Sequence, residues 1–201
     1  MNRSNNRLII FAKAPRVGIV KTRLANEIGL INAWAFYRWR LVEITRKLSS
    51  DTRWKTLLSM TPDRSQRLGI IPSTVPILNQ GSGDLGTRMN NTMSNMPPGP
   101  TIIVGTDIPG IESRIVANAF KELGKNDVVL GPAHDGGYWL IGCRRRPRFP
   151  NIFTGVRWST VYTLADTLKN ASREKLSIHC LMKLEDVDNA ASYNRWRFRK
   201  K

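Results

Sequence analysis

The sequence predicts an α/β protein, a three-layer α/β/α sandwich built on a mainly parallel sheet. Three observations carry that prediction. Short apolar runs recur along the chain, and several are continuous rather than alternating, which is the pattern of strands buried on both faces. Segments of helical periodicity separate the runs, so the order reads βαβα along the chain. Residues with chemical character collect in the loops that follow the runs, and in an open α/β sheet those loops share the edge where ligands bind.

The first run, Leu8–Ala12, leads into a loop holding Pro15 and Gly18 and the cations Lys13, Arg16, Lys21 and Arg23, with no acid before Glu27. Ile31–Leu48 reads as one long helix rich in Trp, Phe and Leu. Trp54–Met60 and Val75–Leu78 read as strands, and a glycine-rich loop then precedes a helix over Leu85–Met96. Pro97-Pro98-Gly99-Pro100 stops that helix ahead of the strand Thr101–Gly105. A helix over Glu112–Leu123, strands at Val128–Gly131 and Tyr138–Gly142, and a helix over Val161–Asn170 complete the pattern. Arg195–Lys201 reads as a frayed basic tail. With no internal repeat and no long linker, residues 1–201 are expected to form a single domain.

Composition narrows the partners. Lys and Arg number 32 against 15 Asp and Glu, a net charge of +17, and an excess of that size fits anionic partners such as phosphorylated substrates, nucleic acid or a membrane surface. Two clusters, Arg144-Arg145-Arg146-Pro147-Arg148 and Arg195–Lys201, lie apart from the loops of chemical interest and read as a solvated basic surface with weak, salt-sensitive, non-specific polyanion binding. Cys143 and Cys180 show no pairing pattern, and no run reaches the roughly 18 apolar residues of a membrane span; a reduced, cytoplasmic protein without a transmembrane segment is expected.

Five motifs carry chemistry. The tail of the first loop, Gly18-Ile19-Val20-Lys21-Thr22, looks like the end of a phosphate-binding P-loop, but Val20 stands where a P-loop needs glycine before its lysine. Backbone amides cannot wrap a phosphate there, although Lys21 and Arg23, at the start of a helix, could clamp one with their side chains. In "QGSGDLGTRM", Gly81, Gly83 and Gly86 spell G-x-G-x-x-G, with Asp107 in the place of a ribose-binding acid. Asp84 sits where a pyrophosphate would have to bind, so a dinucleotide site is disfavoured and the glycines are left to admit a base or to make a tight turn. In "TIIVGTDIPG", Asp107 reads either as a ligand for a hard divalent cation or as the cap of the next helix. In "GPAHDGGYWLIG", Asp135 reads as a base, an acceptor-binding carboxylate or the acid of an Asp-Gly turn. In "LEDVDNAASY", Asp186 and Asp188 are expected on opposite sides of an extended segment, one reaching a metal and the other capping the last helix.

Taken in order, "FAKAPRVGIVKTRLA", "QGSGDLGTRM", "VGTDIPG", "GPAHDGGYWLIG", "FTGVRWST" and "LEDVDNA" resemble a bacterial family of small glycosyltransferase-A-like proteins labelled as nucleotide-diphospho-sugar transferases. That family is related to nucleotidyltransferases of molybdenum-cofactor and phospholactate metabolism. The resemblance covers about Leu8 to Tyr193 and implies a GT-A fold. It implies that Lys13, Lys21 and Arg23 hold the nucleotide phosphates. Gln80, Gly81, Gly83 and Asp84 would hold the base, Asp107 and Asp188 would bind Mg²⁺ or Mn²⁺, and Asp135 would lie on the acceptor side. Two positions depart from the family pattern: Val17 replaces a proline, and Asn189-Ala190-Ala191 follows the "DVD". The expected activity is metal-dependent transfer from a nucleotide-activated donor to an acceptor, with glycosyl transfer from a nucleotide sugar first. Attack on the α-phosphate of a nucleoside triphosphate is the alternative, and a non-catalytic nucleic-acid-binding protein is a distant third.

Overall fold

The structure, a computed structural model, describes residues 5–63, 69–145 and 149–198. Seven strands form one sheet: β1 (Arg7–Lys13), β2 (Lys55–Thr61), β3 (Ile77–Asn79), β4 (Gly99–Val104), β5 (Val128–Pro132), β6 (Tyr138–Arg145) and β7 (Ile178–Cys180). Six helices flank it: α1 (Thr22–Ile28), α2 (Leu30–Ser49), α3 (Leu85–Ser94), α4 (Ser113–Leu123), α5 (Thr163–Arg173) and α6 (Ala190–Phe198). The strand order is β3-β2-β1-β4-β6-β5-β7. β1 lies parallel to β2 and β4, β2 to β3, and β5 to β7, while β6 runs antiparallel between β4 and β5.

The three layers follow from the period of two in a strand. On β1, Leu8 and Ile10 point into a core shared with Leu41, Ile44 and Leu48 of α2 and Val116, Phe120 and Leu123 of α4. Ile9 points the other way, into a core with Met89 and Met93 of α3 and Ala171 of α5. The central strands therefore read as unbroken apolar runs. A third, smaller core joins Leu24, Ala33, Phe36 and Val187, and it docks α1, α2 and α6 beside the carboxyl edge of the sheet.

Three features depart from the sequence reading. β7, three residues long, carries too little pattern to be seen. The long helix is preceded by the seven-residue α1, set off by Gly29 at φ 86°. The basic tail is ordered in its first half: Arg195–Phe198 belongs to α6, Arg195 pairs with Glu185, and Trp196 packs edge-on to Phe36 with Tyr193 alongside. An amphiphilic last turn with two aromatic contacts does not fray. Residues 146–148 of the other basic cluster and residues 199–201 lie outside the described residues. Among the described residues no helix is long and apolar enough to cross a membrane.

Candidate active site

The loops after β1, β3, β4 and β5 meet at one edge, as the parallel strands require. The β1–α1 loop is knit by its own backbone bonds, Arg16 N to Ala14 O and Ile19 N to Arg16 O, and by Trp34 Nε1, which donates to Pro15 O at 2.8 Å. It delivers Lys21 in the left-handed conformation, φ 51° and ψ 44°, at the cap position of α1. Non-glycine residues pay about 1–2 kcal/mol to sit there. The Lys21 side chain is only 5% exposed. The reason is electrostatic: Nζ lies 2.9 Å from Asp107 Oδ2 and also pairs with Asp188 Oδ1, so the ammonium is drawn inward between two carboxylates. Burial disfavours its charge, but Asp107 and Asp188 outweigh that, and its pKa rises above the usual lysine value. For Asp107 burial likewise opposes ionisation, and the Lys21 ammonium overcomes it, leaving the carboxyl below its ordinary range.

Asp107 does not cap a helix. α4 starts six residues later, at Ser113, and its cap residue Glu112 makes no side-chain cap. The turn that carries Asp107 is instead fixed from both sides: Val187 N donates to Asp107 O at 3.1 Å, and Arg40 Nη2 donates to Ile108 O at 2.9 Å. Arg40 is buried on α2 and paired with Glu43. One turn earlier, Tyr37 Oη accepts from Lys13 N at 2.8 Å and lies 3.0 Å from Lys13 O. Tyr37 and Arg40 thus tie the ends of β1 and β4 to one helix face.

The "DVD" segment differs from the sequence expectation. Val187 is buried in the α1–α2 core, and residues two apart in an extended chain share a face, so Asp186 and Asp188 both lie on the side away from it. Neither caps α6. Asn189 does, its Oδ1 accepting from Ser192 N at 2.9 Å. Asp186 is pushed up to about 6 by burial and by repulsion from Asp188 and Asp135. Asp135 is exposed in the β5–β6 turn, where its Oδ1 accepts from Gly137 N at 2.9 Å. That short turn is also why β6 must run antiparallel.

The glycine loop has structural causes. Gly81 and Gly83 take φ of 75° and 102°, and a Cβ at Gly86 would stand 2.3 Å from Trp158 Cζ2. Asp84 caps α3, accepting from Thr87 N at 2.7 Å. Gln80 is buried: its Nε2 donates to Ala12 O and Ser59 O at 3.0 and 2.9 Å, and its Oε1 accepts from Arg88 Nη1 at 2.6 Å. Gln80 therefore locks two strand ends together and aims Arg88. A cleft of about 190 Å³ lies between these parts, lined by Lys13, Lys21, Gln80, Arg88 and Asp107 with Phe11, Tyr37 and Leu85. Arg23 is exposed on α1 and is not among the lining residues. Sequence reasoning missed Arg88, Tyr37 and Arg40. Arg88 was legible as a cation four residues beyond the cap Asp84, and Arg40 as a charge on an otherwise apolar helical face.

Among the described residues no three His, Cys, Asp or Glu side chains converge as a metal cage. Asp107 and Asp188 do converge on one cation, Lys21 Nζ, and are 42% and 37% exposed toward solvent. Two partly exposed carboxylates at the rim of a cleft fit a hard divalent ion that takes its other oxygens from phosphate and water.

The family model described as "Uncharacterized protein conserved in bacteria (DUF2064)" matches residues 44–160. The chain belongs to that family. No curated protein matches it. Among solved structures, a "putative nucleotide-diphospho-sugar transferase" from Desulfovibrio desulfuricans G20 is 28% identical, with 98% of this chain and 88% of that chain covered and a TM-score of 0.90. A 4-diphosphocytidyl-2C-methyl-D-erythritol synthase from Anaerococcus prevotii DSM 20548 is 10% identical over 100% of both chains, TM-score 0.62. An inositol-1-phosphate CTP transferase from T. maritima is 12% identical over 98% and 95%, TM-score 0.60. The fold is that of nucleotide-diphospho-sugar transferases, as the sequence motifs implied.

Proposed function

We propose that the protein is a transferase that uses a nucleotide-activated donor, in the first place a nucleotide sugar. The observation that carries this reading is the meeting of Lys21, Asp107 and Asp188 beside a cleft that also holds Lys13 and Arg88. The likeness to the Desulfovibrio structure supports it. Lys13, Lys21 and Arg88 would bind the diphosphate, since charge-assisted contacts to phosphate are the strong ones. The glycine loop after β3 would pass along the base. Asp107 and Asp188 would hold Mg²⁺ or Mn²⁺, which supplies charge neutralisation at the departing diphosphate. Asp135, in the β5–β6 turn, would orient an acceptor hydroxyl or take its proton.

Nucleotidyl transfer is the second reading, favoured by structural neighbours that are cytidylyl-type synthases over nearly the whole chain. The two readings differ in leaving group. Incubation with labelled nucleotide sugars should release free nucleoside diphosphate under the first, whereas labelled nucleoside triphosphates should release pyrophosphate under the second. Release of neither from the full panel rejects both.

A further inference from the structure

Lys21 is a buried cation held between two carboxylates that are themselves partly exposed to solvent, and Asp107 also lines the cleft. Its ammonium stands at the point on which Asp107 and Asp188 converge, the same point that suits a divalent ion. One position cannot hold both charges, because a second cation there meets strong repulsion at short range. We propose that Lys21 and the divalent metal are alternative occupants of the Asp107–Asp188 pair, so that Lys21 keeps the metal out until a phosphate ligand draws its ammonium away.

Three features of the chain equip Lys21 for that exchange. Its Nζ lies on the wall of the cleft that also holds Lys13 and Arg88, so phosphate oxygens bound there would be within reach of a four-carbon stem. Its backbone is pinned, with Val20 buried before it and α1 starting after it, so the movement is confined to the side chain. The backbone that carries the two carboxylates is held by groups other than Lys21. The Asp107 turn is held by Val187 and Arg40, and Asp188 by the buried Val187 and by Ser192 Oγ, which accepts from Asp188 N at 3.2 Å. Removing the ammonium leaves both aspartates on anchored backbone, with no cation between their carboxylates.

The proposal rests on reading Asp107 and Asp188 as the metal ligands, and it is tested with Mn²⁺ alone. Wild type, Lys21→Gly and Lys21→Gly/Asp107→Asn are titrated with Mn²⁺ and the free ion is read by electron paramagnetic resonance. Glycine is chosen because it accepts the left-handed backbone at this position. Lys21→Asn, which also tolerates it, serves if the glycine variant does not melt cooperatively. Exchange predicts that Lys21→Gly binds one Mn²⁺ at least tenfold more tightly than wild type, and that the gain vanishes in the double variant. Equal, tight binding by wild type and Lys21→Gly overturns the exchange and leaves the metal pair standing. Failure of both to bind, with the fold intact, overturns the exchange together with the metal assignment.

Discussion

The two halves of the sheet's carboxyl edge are built differently. On the side of β1, β3 and β4, the charged groups are braced: Lys21 between Asp107 and Asp188, Arg88 by Gln80, and the Lys13 backbone by Tyr37. On the side of β5, Asp135 is exposed, and Asp186 is pushed up to about 6 by burial and by repulsion from Asp188 and Asp135. The first side is preorganised for an anion, and its fixed donors gain from lying in a partly dry setting. The second carries unneutralised negative charge and an open surface that includes Val161 and Tyr162, 67% and 51% exposed. Under the proposed transfer, the braced side would take the donor and the open side the acceptor.

Asp107→Asn should break the braced side most completely. It keeps the shape and removes the charge, so turnover should fall by more than about a hundredfold, in line with loss of a principal electrostatic group, while the fold persists. Steady-state kinetics with circular dichroism checks this. Arg88→Gln should come next, with nucleotide affinity falling about tenfold to hundredfold, the equivalent of losing one charge-assisted contact of roughly 1.5–3 kcal/mol. Calorimetry against wild type reads it, and an unchanged affinity removes Arg88 from the phosphate site.

Gly136→Ala addresses the other side. Gly136 has φ 86°, and a Cβ there would lie 2.3 Å from Val161 O. The substitution should cost roughly 2–4 kcal/mol by adding backbone strain to a clash, yet spare nucleotide affinity in the folded fraction. A loss of affinity would show that the two sides are not separable. Lys21→Gly should be more stable than Lys21→Ala by about 1 kcal/mol, because both lose the ammonium and alanine alone keeps the left-handed penalty. Paired thermal melts measure the difference.

The smallest effect concerns the strap that follows β6 and backs the open side. Arg157 donates to Asp166 from its Nε and Nη2, both at 2.9 Å, and hydrogen bonding holds the Asp166 pKa down at about 2. A carboxyl lower in the folded than in the unfolded state stabilises above the unfolded pKa of about 3.9 and loses that contribution as the pH falls toward 2. The Tm gap between wild type and Asp166→Asn should therefore be present at neutral pH and close between about pH 4 and 2.

Much of the braced side was legible in the sequence. Strand order aside, apolar runs and loop chemistry brought Lys21 and its neighbour Lys13 to one edge with Asp107, and the family resemblance added Asp188. What stayed hidden depends on contacts between distant segments. Nothing local to Lys21 announces that it turns inward, since its partners lie 86 and 167 residues away. Gln80 reads as a polar loop residue and becomes a buried brace because it meets the ends of two strands. Asp186 and Asp188 share a face because Val187 finds a core in α1 and α2. The glycines of "QGSGDLG" are explained by positive φ and by Trp158, a neighbour supplied 72 residues beyond Gly86.

Nucleotide binding through Lys21 and Arg88 together with a metal on Asp107 and Asp188 is open to one direct test. Nucleoside diphosphates and nucleotide sugars are titrated by calorimetry into wild type and Asp107→Asn, with Mn²⁺ and with excess chelator. Binding to wild type should weaken at least tenfold in chelator, and the residual binding of Asp107→Asn should no longer respond to the metal. Nucleotide binding of equal strength in all four conditions would contradict it.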